Sequence, residues 1–177
     1  TVSMQSKNGG WGSFDVDNTK NWVSNIPFCD FGEVLDSPTE DVTAHMVEML
    51  GRLGYPRNFK PLQKAVEYLQ ETQEPDGSWW GRWGVNYIYG LGAVMPALKW
   101  AGEDLSQPYI RKAVQWLNVH QQPDGGWGER VESYVDPTLR GTGPSTASQT
   151  SWALIALFAA GEAHSDAASK GVEYLLG

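Results

Sequence analysis

Apolar residues follow two alternating patterns along the chain. One is a stripe at helical spacing, as in Ile110, Ala113, Val114 and Leu117, bordered by Gln, Lys and Arg. Positions three and four apart share one face of an α-helix, so the stripe predicts a helix with one buried side. The other pattern is apolar nearly all round, as in Thr150-Ser-Trp-Ala-Leu-Ile-Ala-Leu-Phe-Ala-Ala-Gly161, and predicts a helix covered on several sides. Ser106, ahead of Pro108, is the expected N-cap of a striped helix, and Ser165-Asp166 open the next one. Gly54, Gly102 and Gly161 are the expected C-caps of the apolar helices.

The two patterns alternate because the chain repeats. Lys64-Ala-Val-Glu-Tyr-Leu, then Gln73-Glu-Pro-Asp-Gly77-Ser-Trp79, returns 48 residues later as Lys112-Ala-Val-Gln-Trp-Leu, then Gln121-Gln-Pro-Asp-Gly125-Gly-Trp127. Partial copies stand at Gln5-Ser-Lys-Asn-Gly9-Gly-Trp11 and Lys170-Gly-Val-Glu-Tyr-Leu. A repeat of this period means stacked helix hairpins, with amphipathic helices outside and apolar ones inside. Periodicity alone permits an open solenoid or a closed ring. An inner layer rich in Gly and aromatics, reached through long loops such as residues 18–38, suits a concave cavity lining, which favours the ring. The half-built first repeat, and an end seven residues after Lys170 where another turn is due, read as cuts through a longer array.

Composition narrows the function classes. Nine tryptophans and twenty glycines belong to the repeated turn, in which Pro-Asp-Gly forces a tight bend and the Gln and Trp act as a structural staple. A net charge of −8 with no Lys/Arg cluster excludes a nucleic-acid surface, which needs a basic stripe. The single Cys29 permits no intramolecular disulfide and too few thiols for a Cys-rich zinc site, which fits a reducing, cytoplasmic setting. The longest strongly apolar run, Trp152 to Ala160, is far short of the roughly 20 residues a spanning helix needs.

The repeated Gln-x3-Gly-x-Trp turn resembles the QW repeat of triterpene cyclases. Between the repeats, Ile26-Pro-Phe-Cys-Asp-Phe-Gly-Glu33, Glu40-Asp-Val-Thr-Ala-His45 and Gly81-Arg-Trp-Gly-Val-Asn-Tyr-Ile-Tyr-Gly90 resemble squalene-hopene cyclases in particular. The resemblance covers essentially the whole chain and corresponds to a carboxy-terminal portion of such an enzyme. It implies an all-α fold, an α/α-barrel (toroid) of helix hairpins present here as a partial array, with residues 1–177 part of one catalytic domain cut at both ends. The implied chemistry is conversion of squalene to hopene or hopanol by alkene protonation and a carbocation cascade, with no cofactor and no metal. The implied partners are squalene and the remainder of the same chain, with homodimerisation and peripheral contact on the cytoplasmic side of a membrane expected of the longer parent, and a soluble fragment.

Alkene protonation demands a strong, positioned acid, and the cations that follow demand dry, electron-rich aromatic walls. Asp41 and His45 lie four apart, so on a helix starting near Asp41 they share a face, and an ionised Asp41 favours a protonated His45. The resemblance matches Asp41, His45 and Tyr89 to the network that sharpens the catalytic acid, and Phe14, Phe31, Trp83 and Cys29 to the substrate cavity. Phe14 stands where a tyrosine is common in the family, which puts one polar contact there in doubt. Asp15-Val-Asp-Asn18 differs from the family's Asp-x-Asp-Asp acid motif at Asn18 and follows directly on a turn tryptophan, so a solvated or capping role is expected of Asp15 and Asp17. The acid itself is expected upstream of this chain, which leaves the fragment inactive alone.

Three rival readings remain at this level. Cys29, Asp30 and His45 form the residue set of an Asp/Cys/His zinc site as in protein prenyltransferases, the lesser reading because the surrounding motif matches hopene cyclases. A sporulene-type or oxidosqualene-type cyclase shares most of the same motifs. A non-catalytic α/α-repeat binding module requires Trp79 and Trp127 to be open on one face.

Overall fold

The computed structural model describes residues 1–20 and 35–177. Among them lie six α-helices: α1 (Glu40–Arg52), α2 (Lys60–Glu71), α3 (Tyr87–Trp100), α4 (Pro108–Val119), α5 (Ala147–Ala159) and α6 (Asp166–Leu176). The described residues contain no strand. Two isolated bridges, Trp11 with Thr39 and Asn18 with Asp36, tie loop to loop.

Helices α1, α3 and α5 pack side by side as an inner layer; α2 backs α1, α4 bridges α3 and α5, and α6 backs α5. The result is an arc of an α/α-barrel. All three inner helices run in the same direction, since Gly51 near the end of α1 meets Trp100 at the end of α3, and Gln149 in the first turn of α5 donates to the Val85 carbonyl just ahead of α3. A Cβ at Gly51 would stand 2.3 Å from the Trp100 carbonyl oxygen, so only glycine lets α1 and α3 approach this closely.

Helix α3 buries residues on every side, among them Ile88, Leu91, Val94, Met95 and Leu98, because it has inner neighbours on both flanks. The outer helices bury only their stripes: Leu62, Ala65, Val66 and Leu69 in α2, and Ile110, Ala113, Val114 and Leu117 in α4. Each fully buried Leu or Ile contributes roughly 2 kcal/mol relative to exposure, so the stripes hold the outer layer in place.

The inner helices end alike. In each, the residue after the cap is a left-handed glycine (Gly54, Gly102 or Gly161), as expected. Its N–H reaches back to Gly51, Lys99 or Phe158, and the next residue's N–H reaches the Leu50, Leu98 or Leu157 carbonyl. Ser165 caps α6 by accepting from the Ala168 N–H, also as expected. Ser106 does not cap α4. Its N–H and hydroxyl both bond Asp104 Oδ1, and Gln107 holds the N-cap position without a side-chain bond.

The QW turn is a clamp between successive repeats. Gln73 Nε2 donates to the Gly77 carbonyl of its own turn and to the Tyr109 carbonyl in the first turn of α4, both at 2.9 Å. Gln121 repeats this on Gly125 and Ala167, and Gln5 on Gly9 and Pro61, all at 2.8 Å. The indole N–H of Trp79 donates to the Leu69 carbonyl at 2.6 Å, and that of Trp127 to the Leu117 carbonyl at 2.8 Å. These carbonyls lie in the last turns of α2 and α4, where intrahelical donors run out; that of Leu117 accepts the indole beside the His120 N–H at 3.2 Å. The staple reading of these residues therefore holds.

Candidate functional site

Asp41 enters the first turn of α1 and is fully buried. Its Oδ1 accepts from Thr39 Oγ1 at 2.6 Å and from the Val42 N–H at 2.9 Å, and its Oδ2 accepts from the Trp83 N–H at 2.9 Å. The carboxylate thus fastens the start of α1 to the loop preceding α3. One turn later, exposed His45 places Nε2 3.5 Å from the Tyr89 hydroxyl. No hydrogen bond joins Asp41 to His45 among the described residues; the two meet through Tyr89. Burial, and after it the negative charge of Asp41, push the Tyr89 hydroxyl up to about 12, so it remains protonated at neutral pH.

His45 and Tyr89 face a groove of about 410 Å³ across the inner layer, lined also by Arg52 of α1, Pro96 of α3, and Trp152 and Ile155 of α5. The Trp152 ring meets Tyr89 edge-on, with centroids 4.9 Å apart, a favourable aromatic arrangement that fixes both rings. A smaller cavity of about 200 Å³ lies behind α2, lined by Arg57 and Glu103, and contains none of the candidate residues. Those two residues form an ion pair at 2.7 Å.

Phe14 and Trp83 share one rim: both rings are more than half exposed, at 58% and 54%, and Trp83 Nε1 donates to Ser13 Oγ at 2.8 Å. The Phe14 loop is anchored by Asp36, which is fully buried and accepts from the N–H groups of Ser13, Phe14 and Asp15 at 2.8, 2.6 and 2.5 Å. Cys29, Asp30 and Phe31 lie outside the described residues. Asp17 accepts from the Lys7 N–H at 2.9 Å and Asp15 from the Val16 N–H, the local roles expected of that segment. No cluster of three or more His, Cys, Asp or Glu capable of holding a metal occurs among the described residues.

Three residues of this region escape the reading of the sequence. Asp36 stands in a loop with no motif around it, and Trp152 merges into an apolar helix. Glu129, by contrast, left a signal: it comes two residues after Trp127, where the preceding repeat has Gly81 two after Trp79. Its Oε2 accepts from the Asn86 and Ile88 N–H groups at 3.1 and 2.9 Å, capping α3 from another repeat. Trp79 and Trp127 are wholly buried, which removes the support for an exposed-tryptophan binding module.

The sequence profile of the squalene-hopene cyclase C-terminal domain matches residues 1–177. The chain is 61% identical over 175 residues to a squalene–hopene cyclase of Alicyclobacillus acidocaldarius, a match covering 99% of this chain and 28% of that protein. Identity is 53% over 175 residues to the squalene–hopene cyclase of Bradyrhizobium diazoefficiens, with 98% of this chain and 26% of that protein covered. The squalene–hopene cyclase of Zymomonas mobilis is 49% identical over 176 residues, covering 99% of this chain and 27% of that protein. The chain therefore spans little more than a quarter of the length of these curated relatives.

Proposed function

Because the chain belongs to the squalene-hopene cyclase C-terminal domain family, we propose that it forms part of the α/α-barrel catalytic domain of an enzyme that cyclises squalene to hopene or hopanol. The observation that carries this reading is the groove in which His45, Tyr89 and Trp152 meet above the buried Asp41. In the reaction, an acid outside these residues protonates a terminal alkene carbon. The resulting tertiary cation is captured by successive double bonds, and the last cation loses a proton or adds water. Neither electrons nor groups other than a proton and water are exchanged.

Within that scheme Asp41, His45 and Tyr89 set the strength of the acid. The Tyr89 hydroxyl joins the Asp41 carboxylate to the His45 ring, so the three act on the acid as one hydrogen-bonded unit. Trp83 and Phe14, with Phe31 and Cys29, form the cavity wall, where ring faces stabilise cations and exclude water. No helix among the described residues is long and apolar enough to cross a membrane. We further propose that the longer protein reaches its lipid-dissolved substrate by peripheral contact on the cytoplasmic side of a membrane, as a homodimer.

The test uses the full-length enzyme with two substrates. His45→Phe is expected to lower squalene turnover by about 100-fold or more while leaving the far-ultraviolet circular dichroism unchanged, since each 1.4 kcal/mol of lost acid strength costs about tenfold. Oxidosqualene, whose epoxide oxygen is far more basic, should lose much less. Asp41→Asn should show the same split with an added loss on both substrates, because one of the two accepting oxygens becomes an NH2, which leaves either the Trp83 N–H or the Val42 N–H without an acceptor. Equal losses on both substrates in His45→Phe would overturn the assigned role.

A further inference from the structure

Four buried side-chain atoms have no hydrogen-bond partner among the described residues: Asn86 Nδ2, Glu129 Oε1 and Gln149 Oε1 at the start of α3, and Ser133 Oγ, whose neighbour Tyr134 bonds the Arg82 and Gly84 carbonyls just before that helix. Their residues are each at least nine-tenths buried. In Asn86, Glu129 and Gln149 the other end of the polar group is fixed, and fixed close to the same few residues. Glu129 Oε2 rests on the Asn86 and Ile88 N–H groups, Asn86 Oδ1 accepts from Gly81 N at 3.2 Å, and Gln149 Nε2 donates to the Val85 carbonyl. Ser133 lies in a short 3-10 turn (Val131–Tyr134) that follows Glu129 directly, held by its N–H to the Arg130 carbonyl at 3.1 Å. A fifth such atom, Arg140 Nε, belongs to a guanidinium already engaged with Glu74, Asp76 and the Tyr87 ring.

Buried polar atoms in folded proteins find partners, because leaving them dry forfeits their hydration. Rotating the Asn86, Glu129 or Gln149 group toward a protein partner breaks the bond that holds its other end. We infer that these four atoms form a buried site for a single water molecule, which completes the capping of the helix that carries Tyr89. The donor set selects the ligand. Glu129 and Gln149 offer acceptors, Asn86 offers a donor and Ser133 either, so a water can donate to the two carbonyl-type oxygens while accepting from the amide. A cation would be repelled by the Asn86 amide hydrogens, and an anion by the Glu129 carboxylate. Buried waters typically make about three hydrogen bonds of this kind.

A high-resolution crystal structure of the protein containing this chain tests the site. The expected result is one ordered water within about 3.2 Å of at least three of the four atoms. Ser133→Ala should retain it on the remaining three, and Glu129→Met, which carries no acceptor, should lose it. If Glu129→Met does not fold, the native crystal decides. Asn86 Nδ2 bonded directly to Glu129 Oε1 with no water between them would overturn the inference, as would a peak undiminished in Glu129→Met. A metal-length contact to the three oxygens would overturn it in favour of a cation.

Discussion

Glu40, the first residue of α1, lies beside Asp41 with Glu74 also near, and burial above all pushes its carboxyl up to about 7. A carboxyl that holds its proton more tightly when folded makes the folded state bind more protons than the unfolded one. Its effect on stability is absent below the ordinary value of 4.5, turns increasingly unfavourable as pH climbs from 4.5 to about 7, and is constant above. Glu40→Gln is therefore expected to stabilise the chain at pH 8, by up to roughly 3 kcal/mol, and to change little at pH 4.5. Equal gains at both pH values in thermal melts would assign the effect to packing and not to titration. Asp41, its neighbour, shows what the sequence could and could not reveal of the site. The four-residue spacing places Asp41 and His45 on one helix, but the bond from Trp83 N to Asp41 spans 42 residues and no local pattern announces it. The same holds for Asp36, whose three N–H partners lie 21 to 23 residues away.

Between helices, the glutamine clamp does for the outer layer what the core does for the inner one. The outer helices are spaced too widely to pack on one another, so the Gln121 amide supplies a direct polar link from one repeat's turn to the first turn of α6. Gln121→Ala strips a donor from two carbonyls at once and should cost about 1–3 kcal/mol, read as a lowered denaturation midpoint. Gln121→Glu should cost at least as much, because its ionised carboxylate meets two carbonyl oxygens with no hydrogen to offer. A neutral Gln121→Ala would show that the clamp is incidental. The helices themselves were legible because their apolar spacing is a local signal, and the repeat doubled it. Ser106 misled because Asp104, two residues earlier, takes both its N–H and its hydroxyl in a local turn that competes with capping. Three glycines closed the inner helices as foreseen, since only the chain's own backbone is involved. Gly51 was different: its need for glycine comes from Trp100, a residue of another helix.

At the scale of the whole arc, the common direction of α1, α3 and α5 has an electrical consequence. Peptide dipoles aligned along a helix leave about half a positive charge at its N-terminus, and three such ends collect at one rim. Two of them meet a carboxylate, Asp41 at the Val42 N–H of α1 and Glu129 at the Asn86 and Ile88 N–H groups of α3. At the third, α5, the direct cap among the described residues is the neutral hydroxyl of Thr146, which accepts from the Gln149 N–H at 3.2 Å, while the Asp124 carboxylate stands one step away on the Ser145 hydroxyl. The rim is thus directly capped by a carboxylate at two helices and by a neutral hydroxyl at the third. Placing a charge there, as Thr146→Asp, should raise stability by about 0.5–1 kcal/mol at low ionic strength, a gain that shrinks in about 1 M salt, where the Debye length falls to about 3 Å. Such a potential gradient along the helix axes favours positive charge toward the C-terminal rim. The direction in which the chain threads its three inner helices is therefore also the direction of a field across the groove.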